Sequence, residues 1–148
     1  MKTFVLCVSF LLAFGASTVQ AAQPQPANAA ALEPNAVADW AARVISMIDR
    51  GEAAQLWDGA SSVAKQRVKR DAFVAGVQAA RKPLGAVAGR EWASVRRQRH
   101  AEGREVPAGE YASVEVVALF ANKQVKTELV TFRHDEDGTW RFAGYVVR

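Results

Sequence analysis

The stretch YASVEVVALFA, residues 111–121, decides the fold class of this chain. Side chains alternate along it as they do in a β-strand with one buried face. The residues predicted to face the interior are Ala112, Val114, Val116, Ala118 and Phe120. Val117 and Leu119 point the other way, so the centre of the strand is apolar on both faces. Either helices or another subunit cover part of the second face, although scattered exposed aliphatic residues are also normal.

Three further strands are predicted around this one. Residues 90–99 form a basic candidate strand before it, and residues 125–133 and 139–147 form two strands after it. The turn between the last two contains Asp137-Gly138, which is typical of a β-hairpin. Strands that follow one another in this way predict a four-stranded antiparallel sheet.

The segment before the strands has helical spacing instead. The apolar residues that recur at this spacing in the first helix are Val37, Trp40, Ala41, Val44 and Ile48. Asn35 is the expected N-cap of this helix, and Gly51 is the residue expected to close it. Three shorter helices are predicted at 52–57, from Ser61 or Ser62 to about 68, and from Asp71 onward. Helices followed by an antiparallel sheet predict an α+β fold, with the N-terminal helices packed on one sheet face.

Residues 1–21 have the features of a secretory signal peptide. Lys2 supplies positive charge, residues 4–14 are an uncharged apolar run, and small or β-branched residues precede a cleavage site before Ala22. The apolar run is too short to span a bilayer, which takes about 20 residues. We therefore expect export through a cleavable leader to the periplasm or the extracellular space, with no transmembrane anchor after cleavage.

Cleavage of the leader would remove Cys7, the only cysteine of the 148-residue chain. The processed protein would then have no disulfide, no thiol nucleophile and no cysteine-ligated metal. Residues 22–34 are rich in proline and alanine and are predicted to be a flexible linker. Residues 35–148 are predicted to be a single domain that is stabilised by its core alone.

Several short motifs of the predicted domain occur together: Trp40, Ile48-Asp49-Arg50-Gly51, Trp57, Pro83-Leu84-Gly85, Phe120-Ala121-Asn122-Lys123 and Asp137-Gly138-Thr139-Trp140-Arg141. The series resembles the domain-of-unknown-function 4019 family of small exported bacterial proteins, over about residues 37–148. The resemblance implies a cystatin-like, nuclear-transport-factor-2-like cone, in which helices pack on a curved antiparallel sheet. It implies no activity and no ligand. Phe73 stands where members of the family often have Trp, which is a modest change within an apolar face.

Basic residues are concentrated between residues 64 and 104, where eleven Lys and Arg stand against three acids. Arg96, Arg97 and Arg99 are candidate binding residues for an anion, because guanidinium groups form paired hydrogen bonds with phosphate or carboxylate. The alternative is a solvated strand face whose charges oppose edge-to-edge pairing. No nucleic-acid partner is expected, because aromatic residues are not interleaved with these arginines as base stacking requires. The partner that this feature favours is an anionic component of the cell envelope.

Trp57 and Tyr145 are candidate binding residues of a second kind. The aromatic side chains of this sequence suffice to line a cone-shaped pocket, and these two add polar tips that would orient a small ligand. Aromatic residues at helical or strand spacing are also typical of a hydrophobic core. The sequence leaves both interpretations open.

The sequence contains no recognisable catalytic, metal-binding or cofactor-binding motif. His100 and His134 lack a second imidazole or carboxylate at ligand spacing. The pair of His134 with Asp135 is more typical of a turn than of acid–base catalysis. Asp49 and Asp58 each stand near a glycine, where Asp favours turns. We therefore predict no catalytic residue, no metal and no cofactor.

Together these features predict a non-enzymatic binding module for a small ligand or a protein partner. One alternative is an enzyme that uses the concave side of the sheet, which predicts at least two titratable groups with shifted pKa values in one cavity. The other is a structural module that forms a homodimer through its sheet, which predicts an exposed apolar patch on the outer sheet face.

Overall fold

The structure is a computed structural model, and it describes residues 32–103 and 106–148. The predicted signal peptide and most of the predicted linker lie outside the described residues. The helices are α1 (Pro34–Asp49), α2 (Ala53–Asp58), α3 (Ser62–Arg67) and α4 (Arg70–Arg81), followed by a short 3₁₀ turn at Lys82–Leu84. The strands are β1 (Val87–His100), β2 (Gly109–Phe120), β3 (Val125–His134) and β4 (Trp140–Val147).

The four strands form one antiparallel sheet in the order β1-β2-β3-β4. Each strand pairs with its neighbour in sequence, as short connections between strands favour. The helices come first in the chain and pack on one face of this sheet. The predicted α+β architecture, with N-terminal helices on a four-stranded antiparallel sheet, is therefore confirmed.

Helix α1 begins at Pro34, and its N-cap lies two residues earlier than predicted. Pro34, which the sequence assigns to the linker, occupies the first turn, where its fixed φ suits a helix and its missing N–H has no partner to lose. Glu33 and not Asn35 is at the N-cap position. The C-terminal end is as predicted, because Gly51 has φ of 76° and donates to the carbonyl of Ile48. The N–H of Glu52 reaches the carbonyl of Met47, which completes a Schellman motif.

The hydrophobic core lies between α1 and the inner face of the sheet. Val37, Ala41, Val44, Ile45 and Ile48 are the buried residues of α1. They pack with the inward-facing residues of the central strands, of which Val114 and Val130 are fully buried. Trp40 contacts Phe132 edge-to-face, with ring centroids 5.7 Å apart. The alternation seen in the sequence of β2 is thus the pattern of its burial.

The outer face of the sheet has two different halves. At one end, the loop before β2 covers Tyr111 and Arg133: the Tyr111 hydroxyl donates to the carbonyl of Pro107 at 3.0 Å, and Arg133 Nη2 donates to that of Ala108 at 3.2 Å. The other end of the outer face carries exposed apolar side chains. The apolar residues exposed there are Val117, Leu119, Val125 and Val146, which we call the outer patch.

In the part of the chain that the structure describes, no helix has the length and apolar character needed to cross a membrane.

Candidate functional site

A cavity of about 310 Å³ lies between the short helices and strand β4, which is an edge strand of the sheet. We call it the edge pocket. Its aromatic lining consists of Trp57, Phe73, Tyr111, Phe142 and Tyr145. The helical wall adds Val63, Ala64 and Val68 from α3 and the turn that follows it. The pocket is therefore formed mainly by apolar surface, as small-ligand sites usually are.

The aromatic wall of the edge pocket is a chain of ring contacts. Trp57 stacks on Phe73 with ring centroids 5.3 Å apart, and Phe73 meets Phe142 edge-to-face at 5.6 Å. These arrangements are the favoured geometries of aromatic pairs. Trp57 and Phe142 are buried, so they belong to the core and line the pocket at the same time. The two interpretations of the aromatic residues that the sequence left open are thus compatible.

A network of charges around one buried carboxylate lies on the inner side of the sheet. We call it the Glu128 cluster, and its members are Asp49, Arg81, Arg90, Glu128 and Tyr145. Each comes from a different element: α1, α4, β1, β3 and β4. The carboxylate of Glu128, whose side chain is fully buried, is at its centre. Burial of an isolated carboxylate is very costly, so a site of this kind requires partners for every oxygen.

The carboxylate of Glu128 has such partners on both oxygens. Its Oε1 accepts from Arg81 Nη1 and from the Tyr145 hydroxyl, each at 2.5 Å, and from Arg90 Nη2 at 3.3 Å. Its Oε2 accepts from Arg90 Nε at 2.6 Å. The two arginines are bridged on their other side by Asp49. Two carboxylates thus balance two guanidinium groups, and the acceptor positions of Glu128 are filled.

Two members of this cluster, Arg90 and Tyr145, have raised pKa values. Burial, together with the hydrogen bond to Glu128, raises the pKa of Tyr145 above its ordinary value, so the hydroxyl stays protonated and donates. Burial acts to lower the pKa of Arg90, but the hydrogen bonds to Asp49 and Glu128 outweigh it and the net shift is upward. Neither group therefore exchanges a proton near neutral pH.

A second charged network, the Asp135 cluster, holds the hairpin between β3 and β4. Its members are Ser61, Arg133, Asp135, Glu136, Asp137 and Arg141. Asp135 accepts from the Ser61 hydroxyl at 2.6 Å and from Arg133 Nη1 at 2.9 Å on Oδ1, and from Arg141 Nη1 at 3.2 Å on Oδ2. Ser61 occupies the N-cap position of α3, but its hydroxyl makes no capping bond and joins the helices to the hairpin instead.

Hydrogen bonding lowers the pKa of the Asp135 carboxyl. Burial by itself acts to raise it, but the bonds from Ser61, Arg133 and Arg141 outweigh burial. Asp135 is therefore ionised at neutral pH. Its role is to fix the hairpin and to balance the buried guanidinium of Arg133.

The guanidinium of Arg133 lines the edge pocket and carries an unusual atom. Within residues 32–103 and 106–148, its Nε is a buried side-chain nitrogen without a hydrogen-bond partner. Gly109 lies against it with φ of 150°, and a Cβ there would stand 3.0 Å from this nitrogen. Both the backbone conformation and the close approach of Arg133 require glycine at this position.

The three arginines expected to bind an anion do not converge. Arg97 and Arg99 are opposite Ala112 and Glu110 on the inner face, whereas Arg96 is opposite Ser113 on the outer face. Arg97 Nε donates to Glu110 at 2.6 Å, and its guanidinium lies 5.9 Å from the ring centroid of Trp140. The alternation of side chains along β1 thus separates the arginines that stand together in the sequence.

The two histidines lie in different surroundings. His134 stacks on Trp140 with centroids 5.0 Å apart, and its Nδ1 is 3.6 Å from Glu110, while Asp135 turns towards Ser61. His100 contacts the ring of Tyr111. Among the described residues, no group of three or more His, Cys, Asp or Glu side chains is arranged to hold a metal ion.

Trp57 and Tyr145, the other binding residues predicted from the sequence, both line the edge pocket. Sequence reasoning missed Glu128, Arg81 and Arg90, and assigned Asp49 to a turn, whereas Asp49 pairs with both arginines. One signal was present in the sequence: Glu128 lies two residues before Val130, so both side chains point to the same face of the predicted strand. The structure shows that this is the inner face, where Glu128 pairs with Val116. An acid at an inward position of a strand indicates a buried ion pair.

Helices on one face of a four-stranded antiparallel meander, with a pocket at the edge strand, define a small α+β domain. The family model described as Protein of unknown function (DUF4019) matches residues 40–145, and the chain belongs to this family. Among solved structures, the chain is similar to a Campylobacter jejuni protein assigned as an NTF2-like transpeptidase, with 18% identity, a TM-score of 0.42, and coverage of 72% of this chain and 95% of that one. No curated protein matches the chain.

Proposed function

We propose that this protein is an exported, non-enzymatic module that binds a small, mostly apolar ligand in the edge pocket. The observation that supports the proposal is the pocket itself: a cavity of about 310 Å³ beside an edge strand, with five aromatic residues in its lining. Such cavities are the usual sites of small ligands. Export is supported by residues 1–21, whose charge and apolar run are typical of a cleavable leader.

Two titratable groups of the edge pocket favour binding over catalysis. Arg133 and Tyr145 both line it, and the pKa of each is raised: in Arg133 chiefly by the hydrogen bond to Glu136, in Tyr145 chiefly by burial. An upward shift leaves both groups in their ordinary protonated forms at neutral pH. General acid–base catalysis favours groups whose pKa lies near the working pH. The enzyme alternative predicts two shifted pKa values in one cavity, but these two shifts move the groups away from the working pH and therefore do not support it.

The proposal is tested by blocking the edge pocket and leaving the rest of the domain unchanged. Ala64 on α3 lines the edge pocket, and Ala38 on α1 is likewise half-buried in a helix but lines a different cavity, of about 440 Å³. Ala64→Trp and Ala38→Trp therefore form a matched pair. Small aromatic and short-chain aliphatic compounds would be screened by amide chemical shifts on the unmodified protein.

Binding in the edge pocket would shift the amides of residues 63–68 and 142–146. We expect Ala64→Trp to weaken binding by at least about tenfold, because an indole ring fills the space of the ligand, and Ala38→Trp to leave it unchanged. Compounds that shift neither segment, or that bind both variants equally well, would refute the proposal.

A further inference from the structure

The outer patch is a bare apolar region on the face of the sheet opposite the helices. Val117 is 38%, Leu119 44%, Val146 51% and Val125 63% exposed. They lie on three adjacent strands, since Leu119 pairs with Val125 and Val146 pairs with Leu129 of β3. Contiguous exposed apolar surface of this kind marks an interaction surface more often than an isolated exposed residue does.

Charges of opposite sign stand at the two edges of this patch, in one cross-strand row. Glu91 of β1 pairs with Val117, and Val117 pairs with Thr127. Thr127 and Arg148 exchange two backbone hydrogen bonds, of 2.9 and 3.0 Å. Directly opposed residues share a face of the sheet, so all four side chains of this charged row face outward. With strands about 4.8 Å apart, the two charges are separated by roughly 14 Å and do not pair within one chain.

We infer that the outer patch binds a second copy of this chain, about a two-fold axis parallel to the strands. Such an axis places β1 of one copy over the β4 edge of the other. The charged row then meets its own copy in reverse, so that Glu91 faces Arg148 of the partner subunit, and Arg148 faces Glu91 of the partner subunit. A row with opposite charges at its ends is self-complementary, as an isologous interface requires.

The remainder of the outer face agrees with this placement. The loop over Tyr111 and Arg133 covers the far half of the face, so the bare half with the charged row is the surface left for a partner. Arg148 already pairs with Glu115 of its own chain. That carboxylate holds the guanidinium on the outer side of the sheet, where the partner's carboxylate reaches it. Burial of the aliphatic side chains between the two charge pairs supplies the driving force.

The inference is tested by charge reversal and mixing, measured by analytical ultracentrifugation of the purified protein. We expect the unmodified protein to be a dimer. Glu91→Arg and Arg148→Glu should each weaken the dimer by at least about tenfold, because like charges then face each other twice. The chain with Glu91→Arg presents cations at both edges of the row, and the chain with Arg148→Glu presents anions. An equimolar mixture of the two variants should therefore recover dimers.

The controls separate this arrangement from other forms of association. The double variant Glu91→Arg/Arg148→Glu should dimerise like the unmodified protein. Arg43→Glu, at an exposed position of α1, should have no effect. Leu119→Lys should abolish the dimer, and circular dichroism would show that this exposed substitution leaves the fold intact. An unmodified protein that stays monomeric, or single variants whose mixture fails to recover dimers, would overturn the inference. The inference does not rest on the edge pocket, although Val146 of the outer patch also lines that pocket. Glu91 and Arg148 lie outside the lining of the pocket, so their variants test the dimer separately from ligand binding.

Discussion

The Glu128 cluster and the Asp135 cluster each centre on a buried carboxylate held by two arginines, but they connect the chain over very different distances. Glu128 draws Arg81 and Arg90 from positions 47 and 38 residues away. Asp135 binds Arg133 and Arg141, which are two and six residues away, and it also accepts from the more distant Ser61. The first cluster fastens helices to the sheet, whereas the second shapes a hairpin.

The comparison teaches that similar ion pairs do different mechanical work. Arg81, Arg90 and Tyr145 join α4, β1 and β4 to Glu128, so three connections depend on one carboxylate. Asp49 adds α1 through its bonds to the two arginines. In the Asp135 cluster, Glu136 and Asp137 also hold the same arginines, so the loss of one carboxylate leaves others in place. Substitutions should therefore be more costly in the Glu128 cluster.

The largest effect is expected for Glu128→Gln. The variant keeps the shape of the side chain but removes the buried charge, which leaves two partly buried guanidinium groups with Asp49 as their remaining carboxylate. We expect the free energy of unfolding to fall by about 3–5 kcal/mol, the usual loss when one partner of a buried ion pair is removed. Urea unfolding followed by circular dichroism measures it. Asp58→Asn, which breaks an exposed pair with Arg70, is the control and should have no measurable effect.

A smaller effect is expected for Asp135→Asn. An amide oxygen still accepts from Ser61, but the charge that balances Arg133 is lost. We expect a loss of about 2 kcal/mol at pH 7, because the bonds that weaken are those to charged donors. A loss as large as that of Glu128→Gln would contradict the distinction between the two clusters.

The same variant also predicts a pH dependence. The pKa of Asp135 is lower in the folded protein than the ordinary value of about 3.9 in the unfolded chain. Its stabilising contribution is therefore complete above that value and is lost as the pH falls through the folded pKa. The stability difference between the unmodified protein and Asp135→Asn should be constant from about pH 5 to 8 and should shrink towards pH 3. Unfolding curves at several pH values check this, and a difference that grows in acid would refute it.

The smallest effect is expected for Tyr145→Phe. The hydroxyl gives Glu128 one of its hydrogen bonds, but both arginines remain bound to the carboxylate when it is removed. We expect a loss of about 1 kcal/mol, the typical net value of one hydrogen bond. Combining Tyr145→Phe with Glu128→Gln should cost less than the sum of the two single losses, since the residues are in contact. Additive losses would show that the hydroxyl acts independently of Glu128.

The sequence predicted the elements better than the sites. The alternation in β2, the Asp-Gly turn before β4 and the glycine that ends α1 are signals carried by neighbouring residues, and each is found where it was expected. Trp57 and Tyr145 were selected for their chemistry, and both line the edge pocket. The proximity of Arg96 to Arg97 and Arg99 along the chain was misleading, because a strand turns successive side chains to opposite faces.

What the sequence determined by itself is the class of fold, since helical and strand periodicities and their order in the chain are local properties. The charges of the Asp135 cluster also lie within six residues of Asp135, so their proximity is local, although the sequence analysis did not predict the cluster. Only the tertiary structure decided the Glu128 cluster, the edge pocket and the bare half of the outer face. These depend on which distant side chains the strand register and the helix packing bring into contact, and no local pattern specifies that.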